Sequence, residues 1–559
     1  MPATVQTVLA VRIDRLAPAN KRLLQVASVV GKDVPVALLQ AIADLSEEAL
    51  RSSLDVLQAA EFLYETGRYP DLEYAFKHAL THEVAYSSLL HGRRRELHGR
   101  AVAEIERLHA TRLDEQVERL AHHALEAGLT DRAVSYLRRA GTRAFERSAN
   151  REAVVCFERA LTALQQLPQD RTTIEQGIDL RFDLRNALLQ FSEWSRIHDY
   201  LVEAQTLAQS LGDRPREGWV ACHLVNYYVN TGDPACAIEV GHRALAAATA
   251  VADPAIEAST NFYLSRAYNA LGDYITAVTV GRRNVELLDR GAHERHYLLR
   301  YFHVPVLSRS SLASSLAELG QFVEAITRAD EGARIAEATE RPFPIIGARL
   351  ATGTVRLLQG DLEPAIFSLE RGLDLAKSMN IQLYLVTCEG SLGHAYVLSG
   401  RIREGLELLE HAVGQEASAR NTTYMSGAYL AAGRTEQAHC LAVKAQALAS
   451  GRKQRGNEAY ALRMLGEVAA HLHPAEAAVA ETYYRQALAL AGETGMRPLV
   501  AHCHLALRKL HRCRGDRGQA QEDLTKAMAM YREMNMTYWL QQTAAEMGGP
   551  SASSVCTSV

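Results

Sequence analysis

The chain has 559 residues, of which 48% are apolar and 23% charged, enough to bury a large core. Its 61 Lys and Arg against 65 Asp and Glu leave a formal charge of −4, which excludes a global attraction to nucleic acid. No apolar run reaches membrane-spanning length, and the first residues lack the basic-then-apolar pattern of a signal peptide. A cytoplasmic protein with no membrane partner is therefore expected. The eight cysteines, at 156, 222, 236, 388, 440, 503, 513 and 556, include no close Cys-x-x-Cys pair, which points to reduced thiols rather than disulfides or zinc.

Residues 1–110 are read as the first domain. Helices are predicted over Ala19–Val30, Val34–Ile42 and Glu47–Ala59, the last with Ser46 as its N-cap. Phe62–Glu65 and Glu73–Phe76 read as strands around the turn-rich segment 66–72, a hairpin signal. Three helices followed by a two-stranded wing predict a small winged-helix domain. Helices at His82–Leu90 and Arg93–Leu108 lead out of it. The third helix carries Glu47, Glu48, Arg51 and Asp55, and the first 110 residues hold 13 basic against 14 acidic side chains. DNA affinity comes from neutralising phosphates with basic groups. A DNA-binding regulator is thus the least favoured reading, and nucleic acid is not an expected partner.

From there on, a glycine is followed five residues later by a small residue: Gly128/Ala133, Gly232/Ala237, Gly272/Ala277, Gly320/Ala325, Gly360/Ala365, Gly400/Gly405, Gly433/Ala438 and Gly515/Ala520. His473/Ala478 keeps the spacing without the glycine. From Gly232 the steps are 40, 48, 40, 40 and 33 residues. A near-fixed period marks a solenoid of stacked helical hairpins. Each unit shares an internal order. A large-small pair such as Leu392-Gly393 precedes the glycine by seven or eight residues, and Tyr228, Tyr268, Tyr396 and Tyr429 precede it by four. These offsets share one helical face. The glycine ends the first helix in a left-handed conformation, and the small residue lets the second helix approach closely. This order resembles the tetratricopeptide repeat over roughly Asp114 to Trp539. The longer period implies helices about one turn longer than usual in that repeat.

The predicted organisation is an all-α, tetratricopeptide-like solenoid behind the winged helix. Its parts are first repeats at 111–168, an irregular helical segment at 169–213, the main array at 214–545 and a disordered tail at 546–559. An open, curved spine with a concave face is expected.

Three stretches carry a second resemblance: Arg12-Ile-Asp-Arg-Leu16, Leu23-Leu-Gln-Val-Ala-Ser-Val-Val-Gly31 and Phe76-Lys-His-Ala-Leu-Thr-His-Glu-Val-Ala-Tyr86. They are similar to the segment after the nucleotide-binding domain in bacterial STAND-type signalling ATPases, including fusions with class III adenylate or guanylate cyclases. The resemblance implies a winged helix that packs on a P-loop ATPase or cyclase domain and repeats that receive an inducer or protein partner. The chain departs from that family in having no Gly-x-x-x-x-Gly-Lys-Ser/Thr, no Gly-x-Gly-x-x-Gly and no paired metal-binding aspartates of the cyclase kind. On this reading it is the C-terminal half of such a protein, so no enzyme activity, catalytic residue, cofactor or metal is expected of it.

Other constellations are set aside. His78 and His82 are four apart but have no supporting carboxylate between them. His502, His504, His511 and Cys513 are rich in ligand atoms, yet His502 and His504 face opposite sides of a helix. Ser391 lacks the Gly-x-Ser-x-Gly setting of a nucleophile and is read as packing. Arg93, Arg94, Arg95 and Arg100 form a basic stripe, read first as a solvated helix face and otherwise as a contact for an acidic partner surface or the ATPase domain.

The preferred function is a non-catalytic protein-interaction and signal-sensing module that holds a protein or peptide in its concave groove. The alternative is a regulatory half of a cyclase or ATPase. The candidate groove residues lie six before the turn glycines, at Asn226, Arg266, Ser314, Thr354 and His394, with Asn230 and Asn269 nearby. Asn and Arg there could hold the backbone or carboxylate of an extended peptide, Arg through its fork of donors.

Overall fold

The computed structural model describes residues 3–67, 72–291, 303–415, 418–472 and 477–548. The chain divides between residues 188 and 189 into two compact units. The first begins α1 (Ala3–Asp14), α2 (Pro18–Val30), β1 (Asp33–Pro35), α3 (Val36–Ala43), α4 (Glu47–Ala59), β2 (Leu63–Glu65), β3 (Glu73–Phe76). Ser46 caps α4 as its sequence predicts, its hydroxyl accepting from the Ala49 N–H at 3.3 Å. The strands pair antiparallel in the order β1-β3-β2, with Asp33 opposite Ala75 and Leu63 opposite Phe76. Val34 and Pro35, expected to open a helix, belong instead to β1. Pro35 accounts for this, because its ring biases Val34 away from helical backbone. The hairpin turn predicted around 66–72 falls mostly on residues 68–71, outside the described ones.

The same unit continues with α5 (Ala79–Ser87), α6 (His91–Leu108), α7 (Val117–Ala127), α8 (Thr130–Glu146), α9 (Asn150–Leu164) and α10 (Arg171–Leu188). The helix expected at 82–90 thus starts and stops three residues earlier. From α6 to α10 each helix packs on the next as an antiparallel hairpin. Gly128 ends α7 at φ +71°, and Ala133 is fully buried where α8 meets it.

The second unit is a solenoid of helical hairpins, most helices 16 to 18 residues long, such as Arg214–Thr231, Pro234–Val251, Pro254–Leu271 and Leu362–Ser378. All eight turn glycines of the sequence pattern have φ between +71° and +95°. Around them the helix ends close with the N–H of the residue after the glycine bonded back to the last full turn. Asp273 N–H reaches Tyr268 O at 2.9 Å, and Arg401 N–H reaches Tyr396 O at 2.8 Å. At three of these turns the aspartate after the glycine also caps the next helix: Asp233, Asp273 and Asp516 each accept from an N–H three residues on, at 3.1 Å, whereas Asp361 accepts from Arg356 instead. The small residues pack as expected, with Ala237, Ala277, Ala325, Ala365 and Ala438 fully buried. At Gly405 an added Cβ would stand 2.6 Å from the Gly393 carbonyl oxygen, so the two backbones touch.

One unit departs from the pattern. Ala478 is exposed, and the residue buried against the preceding helix is Ala480, two positions on. His473 itself lies outside the described residues. Residues 549–559 of the predicted tail do so as well.

The expected open spine is corrected by the contacts within this unit. The turn at Gly272 lies against Arg455 and Gly456, that at Gly320 against Arg497 and Met534, and that at Gly360 against Tyr538 and Trp539. Gln359 Nε2 donates to Asn535 O at 3.3 Å, and Tyr538 OH to Leu398 O at 3.4 Å. The later helices therefore seat on the turn ends of the earlier ones, and the unit coils back on itself. Apolar side chains from both coils, including Tyr274, Leu316, Phe322, Met496 and Tyr531, join in one core.

Candidate functional site

Coiling turns the first helices of the hairpins inward, and their inward positions are strongly polar. Three polar clusters lie on these helices, the second and third linked through the Arg420 charge near His394. The first is built on Arg266. Its Nη2 donates to Asn230 Oδ1 at 3.3 Å, and Asn230 Nδ2 donates to the Asn226 backbone and side-chain oxygens, both at 2.7 Å. The guanidinium lies 5.8 Å from the Phe262 ring centroid. Burial lowers its pKa, and the polar groups that offset this are the phenols of Tyr384 and Tyr263, not a carboxylate. Among the described residues Arg266 has no acidic partner. Burial pushes the Tyr384 phenol well up, so it stays protonated.

The second cluster is a closed ion network. Glu318, 6% exposed, accepts from Arg420 Nη2 at 2.9 Å and from Tyr460 OH at 2.9 Å. Arg420 Nε donates to Asn457 Oδ1 at 2.9 Å, and its guanidinium sits 4.6 Å from the Tyr460 ring centroid. Burial drives the Tyr460 and Tyr274 phenols far above their ordinary range, and the Glu318 carboxylate adds to it. Burial opposes the charge on Arg420, but Glu318 together with Tyr424, Tyr460 and Tyr274 outweighs it and holds the guanidinium charged.

Histidines form the third. His394 stacks flat on Tyr424, with centroids 4.0 Å apart and planes 3° from parallel. His502 bonds the Tyr531 hydroxyl at 2.7 Å and meets the Trp539 ring edge-on at 4.5 Å. Arg463, held by Glu467, stands near both. Burial first, then the Arg463 charge, lowers His394 and His502 each to about 3. Unfolded histidine titrates near 6.5, so the unfolded chain takes up these protons first. Their contribution is intact above about pH 6.5 and is lost as the pH falls towards the folded value of about 3. By pH 5.5 each should cost about 1.4 kcal/mol. Urea midpoints measured from pH 7.5 to 5.5 check this, and His394→Asn should flatten the slope.

The predicted groove residues are thus only partly brought together. Arg266, Asn226 and Asn230 form one chain of contacts, with Asn226 only 4% exposed. Asn269 Nδ2 donates to Ser315 Oγ at 2.8 Å, bridging adjacent hairpins. Ser314 bonds back to Ser310 O within its own helix at 3.0 Å, and Thr354 is half-buried. His394 belongs to the histidine cluster instead. Sequence reading missed Glu318, Arg420, Tyr460 and Arg463, because they lie outside the six-before-glycine positions. Charged residues in otherwise apolar first-helix faces were the available signal.

The arginine stripe does not stand free. Arg93 and Arg100 both pair with Glu96, at 2.6 and 3.3 Å. Arg94 donates to Leu89 O at 3.1 Å and Arg95 to Ala127 O at 3.4 Å. His82 packs between Phe76 and Tyr86, at 5.0 and 6.2 Å. His504 and His511 clamp the Asp523 carboxylate at 2.8 and 3.0 Å, while His502 points to the other side. Ser391 is buried in its helix.

No family model matches the chain. An uncharacterised protein of Rhizobium meliloti (strain 1021) is 30% identical over 168 residues, 30% of this chain and 16% of that protein. The chain thus spans well under a fifth of that relative's length. Among solved structures, a Rap protein complexed with competence and sporulation factor has 14% identity and a TM-score of 0.49, over 65% of this chain and 98% of that one. A STAND protein with a tetratricopeptide repeat sensor from Pyrococcus horikoshii has 12% identity and a TM-score of 0.38, over 96% of this chain and 65% of that one. At these scores the likeness goes no further than stacked helical hairpins, and what those proteins bind is said of them alone.

Proposed function

We propose that the chain is a non-catalytic interaction module whose second unit receives an extended peptide or protein segment on its inward polar face. The observation that carries this is Arg266. A half-buried guanidinium set among Asn230, Tyr263 and Tyr384 without a carboxylate loses part of its hydration uncompensated, and it gains most from an anionic ligand gripped by its fork of donors. A peptide carboxylate, from a side chain or a C-terminus, suits it, with the Asn269 amide nearby for the backbone while Asn230 holds the guanidinium. The chemistry for bond-making is not offered here: the Tyr384 phenol is held protonated by burial, and Glu318 is tied up by Arg420 and Tyr460.

Selection of a random peptide library on the full chain, followed by titration of the enriched peptides, tests this. Arg266→Ala should weaken them about tenfold to a hundredfold, the worth of one charge-assisted hydrogen bond. Peptides amidated at the anchoring carboxylate should lose a similar factor. No enrichment, or equal binding by Arg266→Ala, would end the proposal.

A second reading rests on the first unit. Its order of helix, strand, two helices and hairpin, with β3 between β1 and β2, supports a winged helix of the kind that the STAND resemblance implies. On that reading the chain is the regulatory part of a bacterial ATPase or cyclase assembly. It predicts that the chain co-purifies with such a catalytic domain through residues 1–110.

A further inference from the structure

We infer that the first unit holds a divalent transition-metal site, with zinc the expected ion, formed by His98 on α6 and His122 and His123 on α7. The three rings converge: their centroids lie 5.7 Å (98–122), 5.1 Å (98–123) and 5.3 Å (122–123) apart. One ligand nitrogen from each lies within 4.8 Å of the others. Zinc binds imidazole nitrogen at about 2.0–2.1 Å, so three rings around a tetrahedral ion have centroids roughly 5 Å apart. The observed triangle has that size before any ion enters.

The protonation pattern fits as well. His98 Nδ1 and His123 Nδ1 face each other at 2.8 Å, a contact that needs one proton between two nitrogens. Moving that proton to the far nitrogen of its own ring frees both lone pairs for a metal without net charge change. A tetrahedral ion keeps nitrogens about 3.3 Å apart, so the pair would open by about half an ångström. Behind His98, Nε2 lies 3.0 Å from Tyr86 OH, which donates to Glu126 Oε2 at 3.4 Å. This relay favours an Nε2–H on His98 and so presents Nδ1 as the ligand, the outer support that metal-bound histidines ordinarily have.

Two of the ligands are buried and His122 is exposed, so the ion has an entry path and a fourth position for water or an anion. The charged groups whose fields reach the cluster are Arg94, near His98, and Arg119, near His123. They oppose a dication and favour an anionic fourth ligand. All-imidazole donors suit zinc, copper or nickel rather than magnesium or calcium.

The test uses the full chain without a polyhistidine tag, stripped with chelator and titrated with Co²⁺, then with Zn²⁺ in competition. The expected result is one equivalent of Co²⁺ giving the visible absorption of a four-coordinate site, displaced by Zn²⁺. Exposed His122→Ala should keep the fold and weaken binding by more than about tenfold, Tyr86→Phe by about tenfold, and His91→Ala, on the same helix as His98, not at all. Absence of the band with no zinc uptake, or undiminished binding by His122→Ala, would overturn the assignment.

Discussion

Glu318→Ala should cost the second unit about 3–5 kcal/mol, the usual effect of removing one member of a buried ion pair. The carboxylate joins three helices far apart in sequence, Val304–Glu318, Ala419–Ala431 and Arg455–Leu472. Its removal leaves the Arg420 guanidinium among phenols that cannot ionise to balance it. Glu318→Gln keeps the shape and some of the hydrogen bonding, so it should fall between wild type and alanine. The double replacement Glu318→Leu with Arg420→Met should recover much of the loss, because two well-packed apolar groups avoid the desolvation that the ion pair must repay. All three tryptophans, Trp194, Trp219 and Trp539, lie in this unit. Their fluorescence in urea therefore reports on it alone. A change below about 0.5 kcal/mol for Glu318→Ala, typical of surface substitutions, would show that the network does not hold the coils together.

The same network shows where sequence reading stops. The hairpin spacing is legible because glycine is chemically suited to positive φ and alanine to close helix approach, and both leave a periodic mark. The returning turns are harder. Asn380 and Asn535 take positive φ at second-helix ends, and asparagine tolerates that region, but Ala252, Glu340 and Lys453 do the same with no such mark. How tightly the array coils depends on small rotations between hairpins, which no single residue type encodes. The contact between Gly272 and Gly456 is therefore invisible until the coil is closed. In the candidate site, Arg266 was found through its register, whereas Arg420 and Glu318 come together only across the coil. The histidine triangle illustrates a third limit: His122 and His123 are neighbours in sequence, and only the α6–α7 crossing brings His98 to them.

Gly272→Ala and Gly400→Ala together isolate the energy of that coil closure. Both glycines sit at φ +85° at the end of a first helix, so alanine meets the same backbone strain at each, about 1–2 kcal/mol. Around Gly400 nothing lies within 4 Å of an added methyl. At Gly272 the methyl would stand 2.8 Å from the Gly456 backbone nitrogen and 3.3 Å from Arg455 Cβ. A backbone atom cannot swing aside, so the later coil must shift, an overpacking cost of about 1–3 kcal/mol. Gly400→Ala is expected to lose about 1–2 kcal/mol and Gly272→Ala about 2–5 kcal/mol in all. The difference is the part that belongs to seating one coil on the other. Hydrogen exchange should follow it, with faster exchange at both Pro254–Leu271 and Arg455–Leu472 in Gly272→Ala and only local change near residue 400 in the control. Because Arg266 lies on the first of these helices, a loosened seat should also alter peptide binding while leaving the guanidinium in place. Equal losses in the two variants would mean that the later helices are not seated on the Gly272 turn, and the inward face would then be an open groove.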